Sequence, residues 1–588
     1  MGFVSLKNVV KRVDNSGDDS DIGTSTWYNK DLVPARPELR RWKAHTYVSF
    51  WWASSFNQAE WAAGASLIAV GLTFRQSMAC AVLGAMLSAV AMVVTARPGA
   101  LVHVGYPPLL RSSFGMWGSR VFVALRGGVA IIWFGVQSYF ASELLDVAFR
   151  CIFGHKWTDI PNHLPANAEI TSRGLVAFLL IWLAQGPFIL IHPSKIHWLW
   201  PLKALIIPPA IFGFFIWAVT QAGSDWGTFN TNVTAAPAKG AALGWAIMSG
   251  INTVMGTLSP MILNQPDIAR YARRPRDAGW PQGLSMLVIK TLIFFLAMST
   301  ACALEVLYGK AYWNMWDQLN AVLDAHWTAK SRTGCFFVAF SMCLGTIGTN
   351  LSANSIPFGA DMAGTFPRHL TIVRGQIVVW ILGFAIVPWK FLTSAAKFIT
   401  FLGSYTVLVG AILGPMIVDY YVVRRGKCVF VCVNDLIVLD DFSSVHVPSL
   451  YDGSRGSLYW FWGGFNLRAI AAWCVGTGLT ISGIAAGFTP GSVNSASVDL
   501  YSLGWLLSVV ASGTTHYVLN RLFPVPIAPR DRPSGAQPFE YLAKKEGFYD
   551  EDLPWDVTAG PATIVDTPSV SDEDSVKKFE EESKEAGV

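Results

Sequence analysis

Ser54-Ser55-Phe56-Asn57-Gln58-Ala59-Glu60 lies inside the first apolar run of this chain, 48–72. A run of that length can cross a bilayer, which takes about 20 apolar residues per helix. Hydroxyls, amides and a carboxylate at its centre are costly in hydrocarbon, where an uninterrupted helix satisfies its own backbone at least cost. A second run, 240–263, is interrupted in the same way by Asn252-Thr253, Thr257 and Ser259-Pro260. The two are the first and the sixth apolar runs. Interrupted helices at matching places in two halves are the sequence mark of a secondary transporter with inverted repeats, its site at the breaks.

The surrounding composition agrees. The chain has 588 residues, of which 52% are hydrophobic and only 14% charged, with a mean hydropathy of +0.39. Soluble chains carry about a quarter charged residues. Twelve apolar runs are long enough to span: 48–72, 74–95, 119–149, 174–192, 198–220, 240–263, 284–306, 334–356, 374–393, 397–422, 464–487 and 499–522. The third exceeds one crossing and implies tilt or extension beyond the bilayer. The ninth and tenth meet at Pro388-Trp389-Lys390 inside one nearly continuous run. The fold class expected is therefore an all-α polytopic membrane protein.

Three regions follow. Residues 1–45 form a polar cytoplasmic segment without a cleavable signal, 46–523 the transmembrane domain, and 524–588 an acidic, Ser- and Pro-rich tail that reads as disordered. Basic residues set the orientation. Arg97, Arg111 and Arg120, Arg270, Arg273, Arg274 and Arg276, Arg368 and Arg374, and Arg424, Arg425 and Lys427 all fall on one side. Both termini are then cytoplasmic. Tail lysines Lys544, Lys545, Lys577 and Lys578 are candidate ubiquitin acceptors, although acidic runs such as Glu580-Glu581-Glu582 serve solubility equally well. Asn232-Val233-Thr234 fits the glycosylation pattern in an outside loop, or matches it by chance. The eight cysteines make no disulfide framework, and Cys428 and Cys432 without His are weak ligands for a metal. His192 and His197 have no catalytic partner in sequence. Neither an enzyme, a metal site, a cofactor nor a nucleic-acid partner is expected.

Polar residues within spans mark the candidate site. Trp133 and Gln137 are four apart in the third span and share a helix face. An indole plane beside an amide suits a flat heterocycle with alternating C=O and N–H groups; a packing Trp with a backbone-bonded Gln is the alternative. The eighth span carries Asn350 and Asn354 on one face, with Asn354 the second amide candidate. Thr346 and Thr349 either ligate a small cation or bond back to their own helix. Among ionisable groups, Glu60 sits at the first break, as a proton carrier or as a residue reaching the outer interface. Glu143 and Arg126 lie along the third span, and Lys203 is placed near an interface.

These residues stand within motifs that resemble nucleobase–cation symport family one, in its fungal uracil/allantoin permease branch. The similarity runs from Trp27 to Phe523. It rests on Trp27-Tyr28-Asn29-Lys30-Asp31-Leu32-Val33-Pro34, on Phe56-Asn57 and Trp61, and on Pro266-Asp267-Ile268-Ala269-Arg270-Tyr271-Ala272-Arg273. It continues in Ser352-Ala353-Asn354, Phe366-Pro367-Arg368 and Gly414-Pro415. The resemblance implies a leucine-transporter-like fold: two inverted five-helix repeats with broken helices one and six, plus two C-terminal helices. It implies alternating access and proton-coupled import across the plasma membrane of uracil, allantoin or a related small planar ring. Thiamine or nicotinamide riboside import, handled by sister branches, is the alternative, and a non-transporting receptor for such rings is a third.

By the same resemblance Trp133, Gln137 and Asn354 bind the ring, with Asn57 and Leu258 beside it. Asp31 and Arg126 form a cytoplasmic gate, and Tyr405 belongs to a gating helix. Three departures stand out. Leu258 occupies the place of a second stacking Trp found in bacterial relatives. Gly348-Thr349 replaces the Ser-Thr pair of sodium-coupled relatives, which favours protons. Asn57-Gln58-Ala59-Glu60-Trp61 replaces the Asn-Ile-Asn-Thr-Trp of many fungal relatives.

Overall fold

The computed structural model describes residues 25–191, 199–223, 239–424, 445–489 and 491–526. Asn232, His192, His197, Cys428, Cys432, Arg425, Lys427 and the tail lysines lie outside the described residues, as do residues 1–24 and 527–588. Among the described residues the chain is helical, with two isolated bridges, Trp42 with Ala272 and Trp462 with Phe465. Nine described helices are long and apolar enough to cross a membrane. The three other expected spans depart from long rods.

The first span is two helices, α1 (Ala44–Ser55) and α2 (Gln58–Ala69), separated at Phe56 and Asn57. The sequence explains the break. Asn57 adopts extended backbone (φ −152°, ψ 164°). Its Oδ1 accepts from the Ala59 and Glu60 N–H groups at 2.8 and 3.2 Å, and its Nδ2 donates to the Ser54 carbonyl at 2.8 Å. One side chain thus caps both half-helices at the break. Each half is also anchored separately. The Trp51 indole donates to Gln282 and the Trp61 indole to Gln318, both at 3.0 Å.

Three helices follow: α3 (Phe74–Val102), α4 (Tyr106–Phe114) and α5 (Met116–Phe153). The 38 residues of α5 span about 57 Å at 1.5 Å per residue, well beyond a bilayer core. Next come α6 (Ser172–Ile189) and α7 (Leu199–Ala222).

The sixth span is α8 (Gly240–Gly256), then two short helices, α9 (Ser259–Leu263) and α10 (Gln265–Ala269). The break falls at Thr257-Leu258, later than Asn252-Thr253 suggested. Helix α8 runs through that pair. Thr253 bonds back to the Ser249 carbonyl at 2.9 Å. Asn252 instead accepts from the Trp505 N–H at 2.9 Å. Pro260 is the second residue of α9, in the first turn, where a missing N–H costs nothing.

Beyond lie α11 (Trp280–Tyr308), α12 (Met315–Ala325) and α13 (Ala329–Asn350), then a π-helical turn at Leu351–Ser355 leading into α14 (Ile356–Thr365). The ninth span is a short helix, α15 (Ile372–Ala385). Val387 takes a left-handed φ of 53° ahead of Pro388 and ends that path. The remaining helices are α16 (Ala395–Val418), α17 (Leu467–Gly478), α18 (Ile481–Phe488) and α19 (Ser495–Leu522), the last kinked at Gly504. Asn252 of α8 holds that kink through its bond to Trp505. The main apolar core gathers side chains from α1, α2, α5, α8, α11, α13 and α16 around Trp133.

Candidate functional site

Both breaks open on one small cavity. Its walls include Asn57 and Glu60 from the first span, Trp133 and Gln137 from α5, Leu258 after α8, and Asn354 from the π turn. The cavity volume is about 40 Å³, enough for a few waters, since one water needs roughly 10–15 Å³ by the same measure.

Trp133 is buried with its ring centroid 5.4 Å from Phe401 and 6.1 Å from Tyr405, both on α16. Tyr405 donates its hydroxyl to the Gly256 carbonyl, the last residue of α8. The expected gating tyrosine is therefore bonded to the broken end of the sixth span. Leu258 is buried in that break. Gln137 leaves its Oε1 buried without a hydrogen-bond partner. An orphan acceptor in a cavity wall is a place for a ligand donor.

The orientation of Asn354 is fixed from behind. The Asn350 Nδ2 donates to the Phe134 carbonyl, to Ser138 and to Gln185, at 3.1, 3.1 and 2.8 Å. A backbone carbonyl only accepts, so Asn350 must turn its Oδ1 the other way. That oxygen accepts from the Asn354 Nδ2 at 2.9 Å. Asn354 lines the cavity with its Oδ1 and one Nδ2 proton still unused. A π turn at this point is a common device at functional sites; the polar run 350–355 marked the place but not the change of register.

Other expectations change. Asn57 lines the cavity, but its amide is consumed by capping the break. Glu60 does not reach an outer interface: it is 5% exposed, and its Oε2 lies 2.7 Å from the Nζ of fully buried Lys290 on α11. Lys290 was missed, although a lysine amid the apolar run 284–306 was a visible anomaly. Lys203 is buried as well. It is 5% exposed on α7 and donates to the Thr349 hydroxyl. Among the described residues no carboxylate lies within ion-pair distance of it. Glu143 does not line the cavity.

The proposed gate pair is not joined. Arg126 is buried against Asp361 of α14. Asp31 accepts from the Ile372 N–H at 3.2 Å through its carboxylate, and its carbonyl accepts from Arg270 at 2.8 Å. Asp361 lies beyond the expected eighth span and was not singled out.

A polytopic helical protein, with two helices broken around a polar cavity walled by an indole and two amides, is a secondary transporter in form. The comparisons make the class specific. Residues 33–508 match the family model described as permease for cytosine/purines, uracil, thiamine, allantoin, and the chain belongs to that family. It is 30% identical to the allantoin permease of Saccharomyces cerevisiae, over 85% of this chain and 77% of that one. It is also 30% identical to the uracil permease of the same yeast, over 88% and 79%. Among solved structures, the closed, bromovinylhydantoin-bound form of Mhp1, a nucleobase-cation-symport-1 family transporter, superposes with a TM-score of 0.62. That likeness covers 84% of this chain and 97% of Mhp1 at 18% identity, and it shows a common fold.

Proposed function

We propose that this permease imports a small planar polar ring across the plasma membrane, coupled to protons, with both termini cytoplasmic. Uracil and allantoin are the first candidates, from the names of the two yeast relatives. The carrying observation is the convergence of Trp133, the orphan Gln137 oxygen and the oriented Asn354 carbonyl on one cavity between both breaks. The ring stacks on Trp133 and its edge bonds to the two amides. Phe401 and Tyr405 of α16 leave the Trp133 face as the site opens. Arg126 with its partner Asp361, and Asp31 of the N-terminal segment through its bonds to Ile372 and Arg270, gate the exit.

The Lys203–Thr349 bond supports protons over sodium. Thr349 is the one hydroxyl remaining at the position where sodium-coupled relatives have two. Here the lysine ammonium takes that oxygen, so a proton on Nζ supplies the charge that a metal ion would bring. This reading moves the coupling role from Glu60, which already has a cation, to Lys203 with Thr349. An inverted relation between the two five-helix repeats is supported by a reciprocal pair. Trp182 of α6 and Trp380 of α15 stack at 4.4 Å, and each indole donates to the other's carbonyl at 2.9 Å. Such mutual bonding is what a two-fold relation between the fourth and ninth spans produces. The C-terminal tail carries the ubiquitination sites.

The test is uptake of labelled uracil and allantoin in transport-null cells at several external pH values. Accumulation that rises as pH falls, ignores sodium replacement and collapses with a protonophore supports the reading. Binding without accumulation points to a receptor, and competition by thiamine alone to a vitamin carrier.

A further inference from the structure

The Glu60–Lys290 pair sits where neither the stacking Trp nor the amides explain it. Glu60 is the third residue of α2, beside the first break. Its Oε2 is held by the Lys290 Nζ at 2.7 Å, and the same ammonium donates to Thr257, the first residue after α8. One lysine on α11 therefore ties both breaks together. Both partners are buried, and opposite charges at this distance hold one geometry. The Glu60 Oε1 accepts no hydrogen bond from any described residue, and Glu60 is part of the cavity wall. Because the two charges cancel, the wall offers a strong acceptor without asking for a cation.

We propose that Lys290 positions Glu60 as a fixed hydrogen-bond acceptor, which restricts the cargo to neutral rings and ureides with free N–H groups. The inference rests on the ring-transport reading above and narrows it to a substrate class. Asn354 points the same way. Its Nδ2 gives one proton to Asn350, and its Oδ1 accepts from no described residue, so it too brings an oxygen to the cavity wall. A ligand must bring an N–H donor to Glu60, while Asn354 accepts a second one or donates its remaining Nδ2 proton. Replacing the N–H that meets Glu60 by N–CH₃ leaves a buried acceptor without its donor, and an unmet buried polar group is heavily penalised. A ring joined to a sugar through that nitrogen is disfavoured for the same reason.

The test is competition of labelled uracil and allantoin uptake by the parent compounds and by their N-methyl derivatives. It is run in the wild type, Glu60→Gln, Lys290→Met and the double variant, with surface level measured for each. In the wild type, N-methylation at a contacted position weakens competition by at least about tenfold. Glu60→Gln, which brings an N–H of its own, narrows that ratio to about threefold or less. Lys290→Met alone loses uptake by at least about tenfold, because it strands a buried carboxylate. The double variant recovers uptake and keeps the narrowed ratio. The double variant removes both charges, so it carries the comparison if a single variant fails to reach the surface. An unchanged N-methyl ratio in Glu60→Gln overturns the proposal. So does a double variant as inactive as Lys290→Met at normal surface level. A wild type that transports none of these rings overturns the underlying transport reading instead.

Discussion

Asn350 shows how one residue acts on the site without touching the ligand. It converts a fixed backbone carbonyl, that of Phe134, into a fixed orientation of Asn354. Asn350→Ala should raise the KM for a transported ring about as much as Asn354→Ala, roughly tenfold or more, with similar surface levels. Asn350→Asp should be worse, since it puts an acceptor opposite the Phe134 carbonyl. An uptake assay on the three variants checks this. The Arg126–Asp361 pair is a second case. Removing one partner of a buried pair costs about 3–5 kcal/mol, whereas replacing both with apolar groups is often neutral. Arg126→Met and Asp361→Leu should each lower surface expression and the double variant should recover it, as fluorescence microscopy would show.

Among elements, the breaks carry the account. Asn57→Ala removes the cap on α2 and the bond to Ser54, and should cost about 1–2 kcal/mol. Asn57→Asp keeps the cap on α2 and should cost less. Melting temperatures of the purified variants would rank them. The loop between the tenth and eleventh spans offers a pH test. His446 is buried, its Nδ1 lies 2.7 Å from the Ser449 hydroxyl, and burial pushes it down to about 4. A histidine kept neutral in the fold stabilises above its unfolded value of about 6.5 and loses that contribution as pH falls toward 4. Between pH 7 and 5 the loss is about 2 kcal/mol. His446→Gln should flatten the pH dependence of melting across that window.

At the scale of the whole molecule, the sequence showed the architecture better than the wiring. Polar residues in hydrocarbon are anomalies visible without any contact, so Asn57 and the break just before Ser259-Pro260 could be read directly. Trp133 with Gln137 needed only helix periodicity. The partners were hidden because they are distant in sequence. Lys290 lies 230 residues from Glu60, and Asp361 lies 235 from Arg126. Asn252 looked like a break because its acceptor role toward α19 depends on packing that no local pattern encodes. The π turn was hidden for a different reason. Its residues have ordinary helical propensity, and only the hydrogen-bond register changes.

The central claim is that backbone unwound midway through the first and sixth spans forms a cradle for a flat solute. The most direct measurement is an experimental structure of the protein with uracil or allantoin bound. The account predicts a ring stacked on Trp133, its edge on Gln137 and Asn354, with the cavity enlarged by movement of Tyr405 and Phe401 away from the indole. A ring seated elsewhere, with Asn57 inside a continuous helix and Trp133 still packed on Phe401, would contradict it.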